Sequence, residues 1–229
     1  MSSTKVRALA ENGYAIVPDV FSASECNDIL PNLGTSGVQS AGSRCLLDNQ
    51  WCRDLAGEVR DRLRPEFDFA EDLVFIQCTY FNKSAEKNWL VPWHQDRSIP
   101  VAEQVNSPEL SGWSRKEGMT FVHAPESVWG QMLALRLHLD DSTQENGPLR
   151  VIPASHKGGT LTTSQIRMSY DAKRGTDCIV PKGGIVLMHP MLLHASSKGT
   201  SAQPRRVLHF LMAPRHIPDG LSWRQQHCK

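Results

Sequence analysis

Alternation between leucine and other residues over positions 132–139 limits the possible folds more than any other feature of this sequence. Leucine stands at every odd position from 133 to 139, whereas the even positions carry Ala134, Arg136 and His138. Side chains alternate between the two faces of a strand, so the leucines share one face, which must be buried. The other face would contact water in a simple sheet. We favour a two-sheet sandwich in which Arg136 and His138 point into an enclosed cavity and a helix covers the leucines.

The rest of the chain predicts short strands separated by Gly and Pro turns, with helices near the N-terminus. The predicted strands are Tyr14–Val17, Leu73–Phe81, Val91–Arg97, Leu149–Pro153, Ile185–Met188 and Arg205–Ala213, and the predicted helices cover Thr4–Asn12, Ala23–Leu33 and the i, i+4 series Leu55, Val59 and Leu63. This order favours a mainly β sandwich or barrel with flanking N-terminal helices. At 229 residues we expect one domain, 1–229. Its segment 98–130 shows little periodicity and predicts a lid or substrate-binding loop.

Composition excludes several classes of function. The net charge of +1 argues against a nucleic-acid-binding surface as the main feature and leaves a local basic patch open. A content of 40% hydrophobic and 21% charged residues is ordinary for a globular protein. No apolar run reaches membrane-spanning length and the first residues lack an apolar signal core, so we expect a cytoplasmic protein without a membrane partner. We expect reduced thiols at all six cysteines, which are Cys26, Cys45, Cys52, Cys78, Cys178 and Cys228.

The motif Trp-His-Gln-Asp-Arg at positions 93–97 carries the first candidate metal ligands. His94 and Asp96 are two residues apart on a predicted strand, so their side chains point to the same side and can reach one ion. Downstream, His189 and His194 are both candidates for a third ligand. Two histidines and one carboxylate form the facial triad of non-haem Fe(II) oxygenases, which leaves coordination positions open for other reactants.

Several motifs together resemble the phytanoyl-CoA dioxygenase-like family of Fe(II)/2-oxoglutarate-dependent oxygenases. They occur in the family's order and span most of the chain. The matching stretches are NGYAIVP at 12–18, WHQD at 93–96, ENGPLRVIPASHK at 145–157, and 189–196 together with Arg205. The family often has Gly where Ala154 stands. The resemblance implies a double-stranded β-helix, which is a jelly-roll, cupin-like fold.

The resemblance also implies the reactants and the metal ligands. Fe(II) would be bound by His94, Asp96 and one distal histidine, with 2-oxoglutarate and O2 as cosubstrates. In the family that histidine precedes a small residue and a serine, which is true of His194 and not of His189. We therefore expect His189 to be a packed histidine at a strand end.

A second carboxylate on 2-oxoglutarate needs a forked, permanently charged partner when it is buried, which is Arg rather than Lys. Arg205 and Arg206 are both candidates. The family pattern places this arginine eleven residues after the distal histidine, which selects Arg205, and strand alternation puts Arg205 and His209 on one face with Arg206 on the other. By resemblance, Ser196 donates to the same carboxylate. Lys83 would also contact the oxo acid, with a solvated strand-end lysine as the alternative.

The expected reaction is hydroxylation of an unactivated C–H bond of a small molecule. Trp93, Arg97, Arg136 and the 98–130 segment are the candidate substrate contacts, and the two arginines suggest an anionic group. Two other functions remain open: a jelly-roll protein that binds a metal or ligand without redox chemistry, and a zinc hydrolase with the same three ligands. His156, in the family motif at 153–157, is interpreted as a histidine that orders its loop. Histidines without ligand spacing are interpreted as structural, and these are His123, His138, His209, His216 and His227.

Overall fold

Three helices near the N-terminus lie where the sequence predicts helices. The computed structural model describes residues 3–35, 42–171 and 175–226. The helices are α1 (Thr4–Asn12), α2 (Ala23–Thr35) and α3 (Gln50–Leu63). Helix α1 ends where Gly13 adopts a left-handed φ of 80° and donates its N–H to the Leu9 carbonyl. A reciprocal capping box between Ser22 and Glu25 begins α2.

Thirteen strands are distributed over the rest of the described chain. They are β1 (Tyr14–Val17), β2 (Gly42–Ser43), β3 (Leu73–Lys83), β4 (Val91–His94), β5 (Ser98–Val101), β6 (Ser114–Lys116), β7 (Met119–His123), β8 (Leu133–His138), β9 (Leu149–Val151), β10 (Thr176–Cys178), β11 (Ile185–Met188), β12 (His194–Ser196) and β13 (Arg205–Pro214). Helices α4 (Glu126–Trp129) and α5 (Thr163–Asp171) and 3-10 turns at Leu46–Asp48 and Ser155–Gly158 lie between them. No helix in the described ranges is long and apolar enough to cross a bilayer.

The strands pair into three antiparallel sheets. A six-stranded sheet has the order β1-β11-β8-β13-β3-β2, a four-stranded sheet the order β10-β9-β12-β4, and a three-stranded sheet the order β5-β7-β6. The sheets do not close into a barrel. This arrangement is the mainly β jelly roll with N-terminal helices that the sequence predicts.

Strand β8 lies inside the six-stranded sheet, and both of its faces are buried. Leu135 and Leu137 are fully buried on the face that packs against the N-terminal helices, in one cluster with Val59 and Leu63 of α3. Ala134 belongs to a second cluster between the sheets. Arg136 and His138 are also buried, so this polar face points into the sandwich rather than to water.

The segment 98–130 is not the irregular loop that its sequence predicts. It contains β5, β6, β7 and α4, and Ile99, Val101 and Val122 are fully buried in the cluster between the sheets. Strands β6 and β7 are joined by a two-residue turn at 117–118 with φ of 50° and 76°, the positive values of a type I′ hairpin. Each strand has only three to five residues, and β6 is wholly polar, so the sequence signal is too short to recognise.

Helix α5 was not predicted, although the sequence contains its start signal. Thr162 and Gln165 form a capping box, in which the Gln165 N–H donates to the Thr162 hydroxyl and the Thr162 N–H donates to the Gln165 side chain. The helix lies beside β4 on the outer side of the four-stranded sheet.

Candidate metal centre

The pairing of β4 with β12 brings two histidines and one carboxylate together. His94 ends β4 and lies directly opposite His194, the first residue of β12. Asp96 follows two residues later, with its oxygens 3.6 Å from His94 Nε2 and 3.5 Å from His194 Nε2. All three donor atoms lie within 4.8 Å of one another. The structure therefore places these three residues, and not His189, around a single point.

Backbone carbonyls orient both imidazoles. His94 Nδ1 lies 2.8 Å from the Pro92 carbonyl oxygen, and His194 Nδ1 lies 2.8 Å from the Leu192 carbonyl oxygen. A carbonyl only accepts, so each Nδ1 carries the proton and donates it. Each Nε2 lone pair is then free to bind a metal, with the ring held by the hydrogen bond behind it.

The protonation states also suit metal binding. Burial lowers the pKa of His194 to about 4, although Asp96 partly offsets this effect. Burial alone would raise the pKa of the Asp96 carboxyl, but His194 and His94 together lower it below its usual range. At neutral pH the site thus offers an ionised carboxylate and a neutral imidazole, which are the forms that coordinate divalent metals.

Gln95, between the two ligands of the motif, fixes the metal-binding turn. Its buried side-chain amide donates to the carbonyls of Gly159 and Met191, at 2.8 and 2.7 Å, and its oxygen accepts from the Leu161 N–H at 2.9 Å. The N–H of Asp96 donates to the Pro190 carbonyl at 3.0 Å. This role of Gln95 was not predictable from the sequence, because spacing alone does not reveal which carbonyls surround a side chain.

His189 packs at the end of β11, away from the three ligands. Its Nδ1 accepts the Met191 N–H at 3.1 Å, and its ring lies 5.2 Å from that of His156. His156 in turn packs on Gly13, where an added Cβ would lie 2.4 Å from the His156 ring. Both histidines therefore fit the structural role expected from the sequence.

A cluster of buried cations lies where β3, β12 and β13 meet. Arg205 pairs with Lys83 across the sheet, and both residues are only 3% exposed. Lys83 Nζ donates to Ser196 Oγ at 2.7 Å and to the Ser197 carbonyl at 2.6 Å, while Arg205 Nη2 donates to Ser196 Oγ at 3.3 Å. The Nε and Nη1 atoms of Arg205 are buried without a hydrogen-bond partner in the described part of the chain.

Burial disfavours the positive charges of this cluster, so a bound anion would stabilise them. Burial, reinforced by Arg136, lowers the pKa of Arg205 to about 9. Burial, reinforced by Arg205 and Arg136, lowers the pKa of Lys83 to about 8.

Arg206 points to the other face of β13, where it pairs with Asp140 through two nitrogens at 2.7 Å. The predicted strand phase is therefore correct, and Arg205 is the buried arginine.

Two histidines interpreted as structural have unexpected surroundings. His138 is fully buried, yet neither ring nitrogen has a partner among the described residues. His209 lines the cavity beside the metal ligands, and its Nδ1 lies 2.8 Å from Arg136 Nη1. Burial, reinforced by Arg136, lowers the pKa of His209 to about 3, so the ring is neutral.

His227, also interpreted as structural, lies outside the described residues, as does Cys228. The five described cysteines are free thiols.

A cavity of about 240 Å³ opens beside the metal ligands. Its walls come from β3, β13 and the three-stranded sheet, and they include apolar side chains as well as cations. The cationic lining residues are Arg44, Arg97 and Lys116, and the apolar ones are Phe81, Phe121 and Leu211. Arg44 is paired with Glu117, whereas Arg97 and Lys116 have no carboxylate partner in the described ranges.

The three residues predicted to contact substrate have different positions. Arg97 lines the cavity, and Arg136 lies behind it, bonded to His209. Trp93 is on the opposite side of β4, against Gly175 and below the Arg150 guanidinium, which corrects its prediction. The reason is strand alternation: the neighbour of a ligand points away from the metal.

A comparison with family models decides the identity of this fold and site. The model of phytanoyl-CoA dioxygenase (PhyH) matches residues 9–207. The chain belongs to this family. The matched region contains the metal triad, Lys83, Ser196 and Arg205, and it ends two residues before His209. The family recognised from the sequence motifs is thus confirmed.

Related proteins show how far the likeness extends. L-proline trans-4-hydroxylase of Streptomyces griseoviridis is 28% identical over 155 residues, which cover 55% of this chain and 49% of that protein. The chain thus spans about half the length of that relative. The non-heme alpha ketoglutarate-dependent carbocyclase SnoK of nogalamycin biosynthesis has a TM-score of 0.67 at 16% identity, covering 93% of this chain and 84% of SnoK. HygX of Streptomyces hygroscopicus, solved with nickel and 2-oxoglutarate, has a TM-score of 0.64 at 16% identity, covering 93% and 87%. These two structures share the fold.

Proposed function

We propose that this protein is an Fe(II)- and 2-oxoglutarate-dependent dioxygenase that hydroxylates an unactivated C–H bond of a small molecule. The observation that carries the proposal is the combination of the His94, Asp96 and His194 triad with a buried, incompletely paired Arg205. A triad alone suits several metals. A buried arginine with free donors beside it needs an anion, which a 2-oxo acid with a second carboxylate would provide.

The donor set fits Fe(II). Two neutral imidazole nitrogens and one carboxylate oxygen occupy one side of an ion and leave the opposite side open for a chelating oxo acid and O2. When bound, Fe(II) and 2-oxoglutarate supply the oxidising chemistry, in which the oxo acid, O2 and the substrate C–H bond yield succinate, CO2 and a C–OH group. Pro92 and Leu192 keep the His94 and His194 rings aimed at the ion, and Gln95 keeps the turn in place.

The cation cluster would hold the oxo acid. Arg205 would donate to its distal carboxylate, and Ser196 would do so once its hydroxyl proton turns from the Gly147 carbonyl, 2.9 Å away. Lys83, which already contacts the Ser196 hydroxyl, would add a second positive charge. These groups are buried, so their electrostatic attraction for the carboxylate is weakly screened by solvent. A neutral ligand group, such as a phenol, an amide or an ester, would leave these buried positive charges without a counter-charge.

The substrate of the proposed reaction is small and anionic. Arg97 and Lys116 present positive charge at the cavity without a carboxylate partner in the described ranges, and apolar side chains line the remaining wall. The cavity of about 240 Å³ lies below the roughly 300–1,000 Å³ of pockets for drug-sized ligands. It suits a metabolite-sized acid better than an enclosed CoA thioester. We place this reaction in the cytoplasm, where free thiols such as the five described ones persist.

Oxygen consumption and succinate release test the reaction directly. Protein loaded with Fe(II) and 2-oxoglutarate should consume O2 and release succinate, even slowly without substrate, and omission of either reactant should stop both. Small acids that raise the rate should gain one oxygen by mass spectrometry, whereas a loss of two hydrogens would indicate desaturation or cyclisation. Asp96→Ala is the negative control. No succinate under any condition, together with zinc-dependent hydrolysis of an ester or amide, would replace the proposal with a hydrolase.

A further inference from the structure

His209 occupies a position that the proposed reaction does not yet use. It lies in the middle of β13, paired with Thr79 of β3 on one side and Arg136 of β8 on the other. It is 7% exposed, and that exposure is to the 240 Å³ cavity beside the metal ligands. A partly accessible imidazole at this position can contact whatever fills the cavity.

Arg136 determines where the His209 ring carries its proton. The Arg136 guanidinium has donors and no acceptor, and it remains protonated in proteins. The 2.8 Å contact between Arg136 Nη1 and His209 Nδ1 therefore requires Nδ1 to accept. The ring proton is then on Nε2, and a second proton on Nδ1 would place two donors against each other. His209 Nε2 therefore acts as a hydrogen-bond donor and not as an acceptor.

Phe81 holds this pair in place. Its ring meets the His209 ring edge-on, with centroids 6.0 Å apart at 81°, and the Arg136 guanidinium lies 5.3 Å from the same ring centroid. Phe81 itself lines the cavity. The donor direction of His209 is therefore set by packing as well as by its hydrogen bond.

The position of His209 along β13 indicates which reactant it meets. Arg205 and His209 share a face and are four residues apart, which is roughly 13 Å along a strand. The cavity lined by His209 also contains Arg97 and Lys116, whereas Arg205, Lys83 and Ser196 do not line it. His209 therefore lies on the side of the proposed substrate and not beside the distal carboxylate of 2-oxoglutarate.

We infer that His209 Nε2–H is a specificity-determining hydrogen-bond donor for an oxygen atom of the substrate, and this rests on the proposed function. The substrate class is a small carboxylic acid whose anionic group meets Arg97 and Lys116 and whose chain carries a second oxygen, as hydroxyl, ether or carbonyl. An analogue with CH2 in place of that oxygen would leave a buried donor unpaired. Sites built around such a donor reject the analogue strongly.

Matched acids measure this preference without turnover. The probes are pentanoate, 4-hydroxypentanoate and 4-oxopentanoate, which differ at one carbon, titrated by calorimetry into Zn(II)-loaded protein saturated with 2-oxoglutarate. We expect an oxygenated acid to bind roughly 5- to 150-fold more tightly than pentanoate, the range for leaving a buried donor unpaired. His209→Leu should remove the difference, His209→Gln should retain part of it, and His216→Leu, on the exposed tail, should leave it unchanged. Equal affinities in the unaltered protein, or a preference that survives His209→Leu, would overturn the inference.

Ring ¹⁵N NMR of the unaltered Zn(II) protein tests the tautomer even if His209→Leu does not fold. The His209 signals, assigned by their loss in His209→Gln, should show a neutral ring protonated on Nε2. A proton on Nδ1, or on both nitrogens, would contradict the inferred donor. Binding preference and succinate release are measured separately. A binding preference without succinate release would refute the oxygenase and leave His209 as a recognition residue. Succinate release without a binding preference would support the oxygenase and refute the role of His209.

Discussion

Replacing Arg205 with alanine should weaken 2-oxoglutarate binding while leaving the metal site intact. Removal of one partner of a buried charge pair costs roughly 2–5 kcal/mol, much of it from the charge left unpaired. Lys83 stays 2.7 Å from the Ser196 hydroxyl, so the carboxylate would keep one cation. We therefore expect the lower part of the range, about 2–3 kcal/mol, which is about a 30- to 150-fold loss of affinity. Adding Lys83→Met should move the loss toward the upper limit.

The assay is titration of 2-oxoglutarate, followed by succinate release and by binding to Zn(II)-loaded protein. Arg206→Ala is the matched control, because Arg206 is on the other face of β13 and pairs with Asp140. A 2-oxo acid without a distal carboxylate, such as 2-oxobutyrate, should lose little affinity in Arg205→Ala. The reasoning is refuted if Arg206→Ala causes the loss, or if both oxo acids lose affinity equally.

Three further predictions concern the metal, the substrate and the 98–130 segment. His194→Ala should reduce metal affinity, measured with a competing chelator, by more than the roughly 10- to 100-fold loss typical of residues that hydrogen-bond to metal ligands. His189→Ala should change metal affinity little. The opposite ranking would make His189 the ligand. Arg97→Gln should raise the KM for an anionic substrate about 10- to 100-fold, and Arg115→Gln, exposed on β6 outside the cavity, should not; equal effects would indicate general charge attraction. Amides at 103–112 should gain hydrogen-exchange protection when substrate binds, while those of β5 and β7 stay protected throughout; strong protection of 103–112 in both states would show a fixed scaffold.

His94 and Asp96 were predicted as ligands from a two-residue spacing on an extended segment, although β4 ends at His94 and Asp96 lies in the turn that follows. Strand alternation correctly separates Arg205 from Arg206. The choice of His194 over His189 came from the family resemblance, since spacing left both open. The structure explains the difference: β12 places His194 opposite His94, whereas His189 precedes a turn and bonds to Met191.

Features that depend on tertiary neighbours were not predictable from local patterns. The role of Gln95 requires the carbonyls of Gly159 and Met191, which are about 64 and 96 residues away in sequence. His209 showed no ligand spacing, and its environment depends on Arg136 from another strand. The error at Trp93 was avoidable, since the alternation that selects His94 also turns its neighbour outward.

The pairing of His94 with His194 would make the edge of the four-stranded sheet depend on the bound ion. Among the described strands β4 pairs with β12 alone, and Pro92 has no N–H for the ladder. An ion bonded to both histidines would link this edge strand to its neighbour. A ligand that binds the folded state and not the unfolded state raises the free energy of unfolding by about 2.7 kcal/mol when its free concentration is a hundredfold above its Kd. Iron supply in the cell would then govern the lifetime of this protein against proteolysis as well as its turnover.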